Sequence, residues 1–331
     1  MVPGVPAEAA DADRPAQHPR PAVPRDAATT ILLRDAPGGL EAYLLVRSTR
    51  LATFAGLTVF PGGSVDPGDH VAEGLWRGPD PARWPLAADP GLSRALVTAA
   101  VRETFEEIGV LLAEPVDGGP FPDADELESD RALLEAGDTT LPELLARREL
   151  TIRTDLVRPW THWITPEAEK RRFDTRFFVA GLPVGQDARQ PSGEATRGFW
   201  LAPAEALAAV GRGEFGMLPP TATTLLSLAE YPTLADVFAA AEQRTIRPIR
   251  PVYHAGSDGP RLTLPPDALA LLPDGATPEF VAGLMSGIAR HGRPPKVAPA
   301  DSRSPADSRP PADSRSPADS SADRSDEGST T

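Results

Sequence analysis

Apolar positions along the chain follow two rhythms. Residues 29–33 and 42–46 are short apolar runs separated by Ala36-Pro37-Gly38-Gly39, the composition of a strand, a turn and a returning strand. Residues 57–60 predict a third short strand, stopped by Pro61-Gly62-Gly63. The period then lengthens. Val97, Val101, Thr104, Phe105 and Ile108 follow i, i+4, i+7, i+8, i+11, which predicts a helix over residues 93–108 with one buried stripe. Gly109 supplies a left-handed stop. Residues 117–150 predict an acidic loop and a helical hairpin, residues 160–180 return to strand character, and residues 203–210, 221–230 and 233–243 predict helices. Strands interleaved with helices imply an α/β chain with α/β/α layers, a mixed sheet and extra C-terminal helices.

The two ends lack any such rhythm. Residues 1–25 are Pro, Ala, Asp and Arg without a period, and are expected to be disordered. From Pro299 the unit Pro-Ala-Asp-Ser recurs at Pro305, Pro311 and Pro317. Proline at that frequency blocks helix and sheet alike, so residues 298–331 predict a disordered repeat tail. Between these ends, residues 26–250 are expected to form the main domain. Residues 251–297 should be an extension packed on it.

Charge narrows the partners. Over 331 residues, 33 basic against 47 acidic side chains give a net charge of −14, which repels nucleic acid and anionic membranes. A polyanionic substrate would need a local reversal of sign, which a bound divalent cation supplies. The chain has no cysteine, which removes disulfides, thiolate metal sites and thiol nucleophiles. No apolar run reaches the ~20 residues of a membrane span. The N-terminus has neither a basic region nor an apolar core of a signal peptide, so a cytoplasmic location is expected.

The chemistry concentrates on the helix of residues 93–108. Glu103, Glu106 and Glu107 fall opposite the apolar stripe, within about 100° of arc. Carboxylates at i, i+3, i+4 repel one another and do not stabilise a helix. They suit a hard cation such as Mg²⁺ or Mn²⁺, although a solvated acidic face has the same pattern. Upstream, Phe60-Pro61-Gly62-Gly63 ends a strand, and Asp66 and Asp69 follow in a glycine-containing loop. A glycine pair lets backbone approach a ligand closely. The arrangement predicts a loop–helix cradle for metal and phosphate.

These residues resemble the Nudix box: a glycine, five residues, an acid, seven residues, then Arg-Glu-aliphatic-x-Glu-Glu-x-Gly-aliphatic. Gly63 matches the first glycine, and Arg102, Glu103, Glu106, Glu107, Gly109 and Val110 match the second half. The resemblance implies a Nudix hydrolase fold, with Glu103, Glu106 and Glu107 as metal ligands. Arg102 would then be a structural partner of a box carboxylate such as Glu106. Asp69 stands where the box has Glu and would be a further ligand. Thr104 replaces an aliphatic residue, and residues 70–101 replace the family's seven with 32. The excursion is expected over residues 70–92. An interrupted box, His162-Trp163-Ile164-Thr165-Pro166 and Arg171-Arg172-Phe173-Asp174-Thr175-Arg176-Phe177-Phe178 resemble the branch of the acyl-coenzyme A diphosphatases. The resemblance runs from about residue 26 to 250.

That branch implies metal-dependent hydrolysis of a diphosphate in coenzyme A or an acyl derivative. Other nucleotide diphosphates (ADP-ribose, NADH) and nucleoside triphosphates are the alternative substrates. A non-catalytic nucleotide-binding module is the alternative class. Glu106 or Glu194 would take the proton of the attacking water. Gly62, Gly63, Arg47, Arg50, Arg172 and Arg176 would contact substrate, although alternation in residues 172–177 equally suits a same-face ladder of ion pairs. Arg102 completes the catalytic set. The expected partner is a small-molecule nucleotide, with a homodimer as one option for assembly.

Overall fold

The computed structural model describes residues 21–48, 56–70, 74–189, 195–214, 216–254, 261–281 and 283–284. The chain opens with strands β1 (Arg25–Ala36), β2 (Gly39–Arg47), β3 (Leu57–Val59) and β4 (Gly62–Ser64), then the two-residue β5 (Trp76–Arg77). Helix α1 (Pro90–Ile108) follows, then β6 (Ala113–Pro115), α2 (Ala124–Glu135), α3 (Leu141–Arg147) and β7 (Leu150–Arg153). Next come β8 (Val157–Ile164), β9 (Phe173–Gly181), β10 (Ala195–Leu201), α4 (Pro203–Gly211), β11 (Gly216–Met217), α5 (Pro219–Leu228) and α6 (Leu234–Gln243). The described chain closes with β12 (Pro248–Ile249), β13 (Val252–His254), β14 (Arg261–Thr263) and α7 (Pro266–Leu269).

The main sheet runs β11-β3-β2-β1-β9-β8-β12, with β10 also on β2 and β4 also on β1. It is mixed: β1 pairs β9 in parallel from Arg25↔Phe173 to Leu33↔Gly181, while β1–β2 and β8–β9 are antiparallel. Alternation along the central strands sends side chains to two cores. Ala28, Leu32, Phe178 and Ala180 meet Leu96, Val97, Val101 and Phe105 of α1 on one face. Ile31, Leu33, Phe177 and Val179 join Ala206, Leu225 and Val237 of α4–α6 on the other. The result is the expected α/β/α sandwich. Ala268 and Leu284 bury in the second core, beside α5 and α6.

Helix α1 starts three residues earlier than its apolar stripe predicts. Asp89 caps it by accepting from the Gly91 N–H, and Pro90 occupies the first turn, where a missing N–H costs nothing. Gly109 ends it at φ 69°, its N–H donating to the Phe105 carbonyl. Before α1, β5 pairs with β7, which also pairs with β6 in a small second sheet. Trp76 and Trp84 pack half-buried on the α1 core, and Asp80 binds Arg94 of α1 at 2.8 Å. Among the described residues, no helix is long and apolar enough to cross a membrane.

One close approach sets the packing of β10 on β2. The ring of Tyr43 lies across Gly198, and its hydroxyl donates to the Arg189 carbonyl at 2.8 Å. Burial pushes the Tyr43 hydroxyl up to about 12, so it stays a donor. A Cβ at Gly198 would collide with that hydroxyl and ring. Gly198→Ala should therefore cost about 1–3 kcal/mol, the range for overpacking. Tyr43→Phe should recover part of the loss in the double variant, measured by urea unfolding. Additive effects of the two substitutions would show that the contact is not shared.

Candidate active site

The second half of the box lies on α1, and the first glycines lie on β4, one strand away. Antiparallel pairing of β1 with β4 sets Gly62 and Gly63 opposite Thr29 and Ala28. Thr30, next along β1, donates its hydroxyl to the Ala100 carbonyl of α1 at 3.1 Å and fixes the height of the helix over the sheet. The outcome is direct contact between glycine backbone and carboxylates. The Gly62 N–H donates to Glu107 Oε2 at 3.3 Å. A Cβ at Gly63 would collide with the Glu103 carboxylate, so only glycine leaves that space open.

Arg102 holds the remaining groups. Its Nε and Nη2 donate to the two oxygens of Asp69 at 2.9 and 3.0 Å. Nη1 reaches Glu103 at 2.8 Å and Glu106 at 3.3 Å, and Nη2 also donates to the Ser64 carbonyl at 2.8 Å. The sequence pattern anticipates the Glu106 pair four residues on. It does not anticipate that Asp69, 33 residues back, is the bidentate partner.

Asp69 thus departs from the ligand role expected of it. It is 1% exposed, both oxygens face Arg102, and Oδ2 also accepts from the Asp66 N–H at 2.8 Å. A carboxylate so engaged positions the arginine and has little left for a metal. The substrate arginines of β9 also depart from expectation. Arg176 is 5% exposed and binds the Leu86 carbonyl, Asp26 and Asp174, so it cannot reach a ligand. Arg172 donates to the carbonyls of Thr165 and Ala22. Of the same-face ladder, the Asp174–Arg176 pair forms, with His162 also on Asp174, while Arg172 is taken up by backbone carbonyls. Arg47 ends β2, half-buried beside β10. Arg50 and Glu194 lie outside the described residues.

Electrostatics mark the site as short of positive charge. Burial pushes the Glu103 carboxyl up to about 7, against the pull of Arg102, and raises Glu106 for the same reason. Arg102 itself is held above its ordinary value by Asp69, Glu103 and Glu106, which outweigh its burial. In this arrangement Arg102 supplies the cation. Among the described residues, no three acidic or histidine side chains are drawn close enough to hold an ion as they stand. The donor chemistry nevertheless fits one: the groups are all oxygen, and their burial leaves a deficit that a hard divalent ion would fill.

Other anchors carry no local sequence signal. Gln186 closes two hydrogen bonds with the backbone of Leu111, at 2.9 and 2.8 Å, and the Arg189 N–H donates to the Ile108 carbonyl. Arg131 of α2 donates to the Glu106 carbonyl at 2.8 Å. These bonds brace the C-terminal turn of α1, where Glu106 and Glu107 sit.

The comparisons agree with this geometry. A family model described as the NUDT19 Nudix domain matches residues 90–228, beginning at the first residue of α1. The Nudix hydrolase from Alicyclobacillus acidocaldarius superposes at a TM-score of 0.56 and 28% identity, over 66% of this chain and 96% of that one. The chain is thus similar to Nudix hydrolases in both sequence and fold. The acyl-coenzyme A diphosphatase NUDT19 of Gallus gallus is 28% identical over 299 residues, covering 74% of this chain and 79% of that protein. Its Homo sapiens counterpart is 28% identical over 288 residues, covering 75% and 76%. The proteins it resembles are hydrolases, the curated ones among them named as diphosphatases.

The raised Glu103 has a measurable consequence. Its folded value of about 7 lies above the ordinary 4.5, so the ionised form is the costly one. The cost is absent below pH 4.5, grows as pH rises towards 7 and is complete above it. At its limit it reaches ~3 kcal/mol, from about 1.4 kcal/mol per pKa unit. With EDTA present, Glu103→Gln should gain stability over the wild type as pH rises from 5 to 8. A melting-temperature difference that is flat with pH would show that Glu103 ionises without penalty.

Proposed function

We propose that this chain is a Nudix hydrolase that cleaves the diphosphate of coenzyme A or an acyl-coenzyme A, giving 3′,5′-ADP and a phosphopantetheine product. The observation that carries the reading is the similarity to acyl-coenzyme A diphosphatases over about three quarters of both chains. The box glutamates, assembled on α1 beside Gly62 and Gly63, support the chemistry. Glu103, Glu106 and Glu107 would hold the divalent cation, Mg²⁺ or Mn²⁺, which would neutralise the diphosphate and acidify a water.

The chain's own groups have separable tasks. Arg102 fixes the rotamers of Glu103 and Glu106, and Asp69 fixes Arg102. Gly63 keeps the approach to Glu103 clear. Glu106, whose carboxyl burial raises from its ordinary value, would accept the proton leaving the attacking water. Glu194 is the other candidate for that role. With Arg176 bound to Asp26 and Asp174 and Arg172 bound to backbone carbonyls, Arg47 and Arg50 are the candidates for the 3′-phosphate. The expected assembly is with a small-molecule nucleotide, and a homodimer is tested by the mass in solution.

Two measurements test this. Glu106→Gln should lower turnover about 100-fold or more, the range for a lost general base, while melting temperature holds. A near-wild-type rate with unchanged Mg²⁺ dependence would remove Glu106 from the mechanism. Separately, coenzyme A, dephospho-coenzyme A, ADP-ribose and NADH are compared at equal concentration. Losing the 3′-phosphate contact should cost about 1.5–3 kcal/mol, so dephospho-coenzyme A should show a kcat/KM roughly 10–100-fold below that of coenzyme A. ADP-ribose or NADH cleaved ten times better than coenzyme A would overturn the substrate and leave the Nudix chemistry standing.

A further inference from the structure

A second site candidate lies on the opposite face of the sheet from Glu103. Arg244, just past α6, lies over the ring of Trp160 on β8 at 3.9 Å and donates Nε to the Trp160 carbonyl at 3.1 Å. This fixes the guanidinium plane. Nη1 reaches the Ser227 hydroxyl only at 3.4 Å, and among the described residues no carboxylate comes within salt-bridge distance of Arg244. Yet burial works against its charge, lowering its affinity for the proton, and only Tyr231, which also hydrogen-bonds it, and Glu230 oppose that. A held, partly desolvated guanidinium with donors to spare is unusual, because buried charges are normally paired.

Arg244 lines a pocket of about 270 Å³ together with Ser227, Glu230, Tyr231, Leu271 and Leu272. Its floor is the end of α5 and its far wall is the segment after α7. That wall is held close: Gly275 packs against Leu226, where a Cβ would stand 3.1 Å from a leucine methyl. Tyr231 is itself held edge-on to Trp160, with ring centroids 5.9 Å apart, so the hydroxyl is oriented with the arginine.

We propose that this pocket binds a small oxyanion, a phosphate or carboxylate group, through the Arg244 fork and the Tyr231 hydroxyl. A planar fork held flat offers paired N–H donors to two oxygens of one group. The apolar wall of Leu271 and Leu272 would cover whatever carries the anion. Glu230 works against binding, since it places a negative charge at the rim.

The test uses the full chain in EDTA, titrated with inorganic phosphate in one arm and acetate in the other, by calorimetry. Binding should be saturable in at least one arm, and the tighter arm identifies the oxyanion. Arg244→Lys should weaken it at least tenfold, and Tyr231→Phe at least threefold. Glu230→Gln should tighten it about threefold or more. Glu230→Gln guards against a fold defect in the arginine variant, because a purely structural Arg244 predicts no gain. If instead Glu230 swings in as the partner of Arg244, Glu230→Gln would lower the melting temperature and bind nothing. That result overturns the site, as does binding that is absent or indifferent to all three substitutions.

Discussion

The site depends on one guanidinium. Arg102 is 7% exposed and meets Asp69, Glu103, Glu106 and the Ser64 carbonyl at once. Without it, carboxylates on neighbouring turns of α1 would repel one another in a half-buried place, where screening is weak. Arginine suits the task better than lysine because its donors form a rigid fork and it keeps its charge when buried. The same side chain fastens the loop of β4 to the helix, since its partners come from both. A charge that orders the carboxylates therefore also sets the distance between the glycine pair and the glutamates.

That clamp explains how the box survives being split. In sequence, 32 residues separate His70 from Val101 inclusive, yet Asp69 and Arg102 bond directly. Closing a longer loop costs only the logarithm of its length, and one buried bidentate ion pair contributes on that scale. The excursion also makes its own contacts. Strand β5 joins β7, Asp80 binds Arg94, and two tryptophans lean on the α1 core. Arg77 and Arg153 share Glu114, which draws the excursion and the small second sheet together. The last residues before Val101 are not loop at all; they extend α1 backwards to Pro90.

What the sequence reveals follows from the range of the interactions. The stripe of α1, the β1–β2 hairpin and helices α4–α6 are legible because their signals lie within a few turns or a few strand residues. Strands β5, β11 and β12 are two residues each and exist only through their partners, so no local pattern announces them. The site divides the same way. Glu103, Glu106 and Glu107 are visible as a face, and the glycine pair as a strand stop. Alternation groups Asp174 with Arg176, but only the fold shows that Asp26, Asp174 and the Leu86 carbonyl all occupy Arg176. Gln186, Tyr43 and Arg131 bind backbone atoms far away in sequence, and backbone acceptors leave no mark on composition.

The three glutamates are alike in the sequence and different in the molecule. Glu103 is more enclosed than Glu106, lying between Arg102 and Gly63; Glu106 takes the weaker end of the Arg102 fork; Glu107 accepts from the Gly62 N–H. Burial opposes ionisation at Glu103 and Glu106. Side chains whose charge is disfavoured by their surroundings gain more from an added cation than exposed ones would, because the ion repays desolvation already incurred on folding. A fold that simply exposed three carboxylates would be more stable alone and would bind a cation less well. The desolvation carried by Glu103 and Glu106 is thus a form in which affinity for a divalent ion can be stored, and the glycine pair keeps open the space beside Glu103.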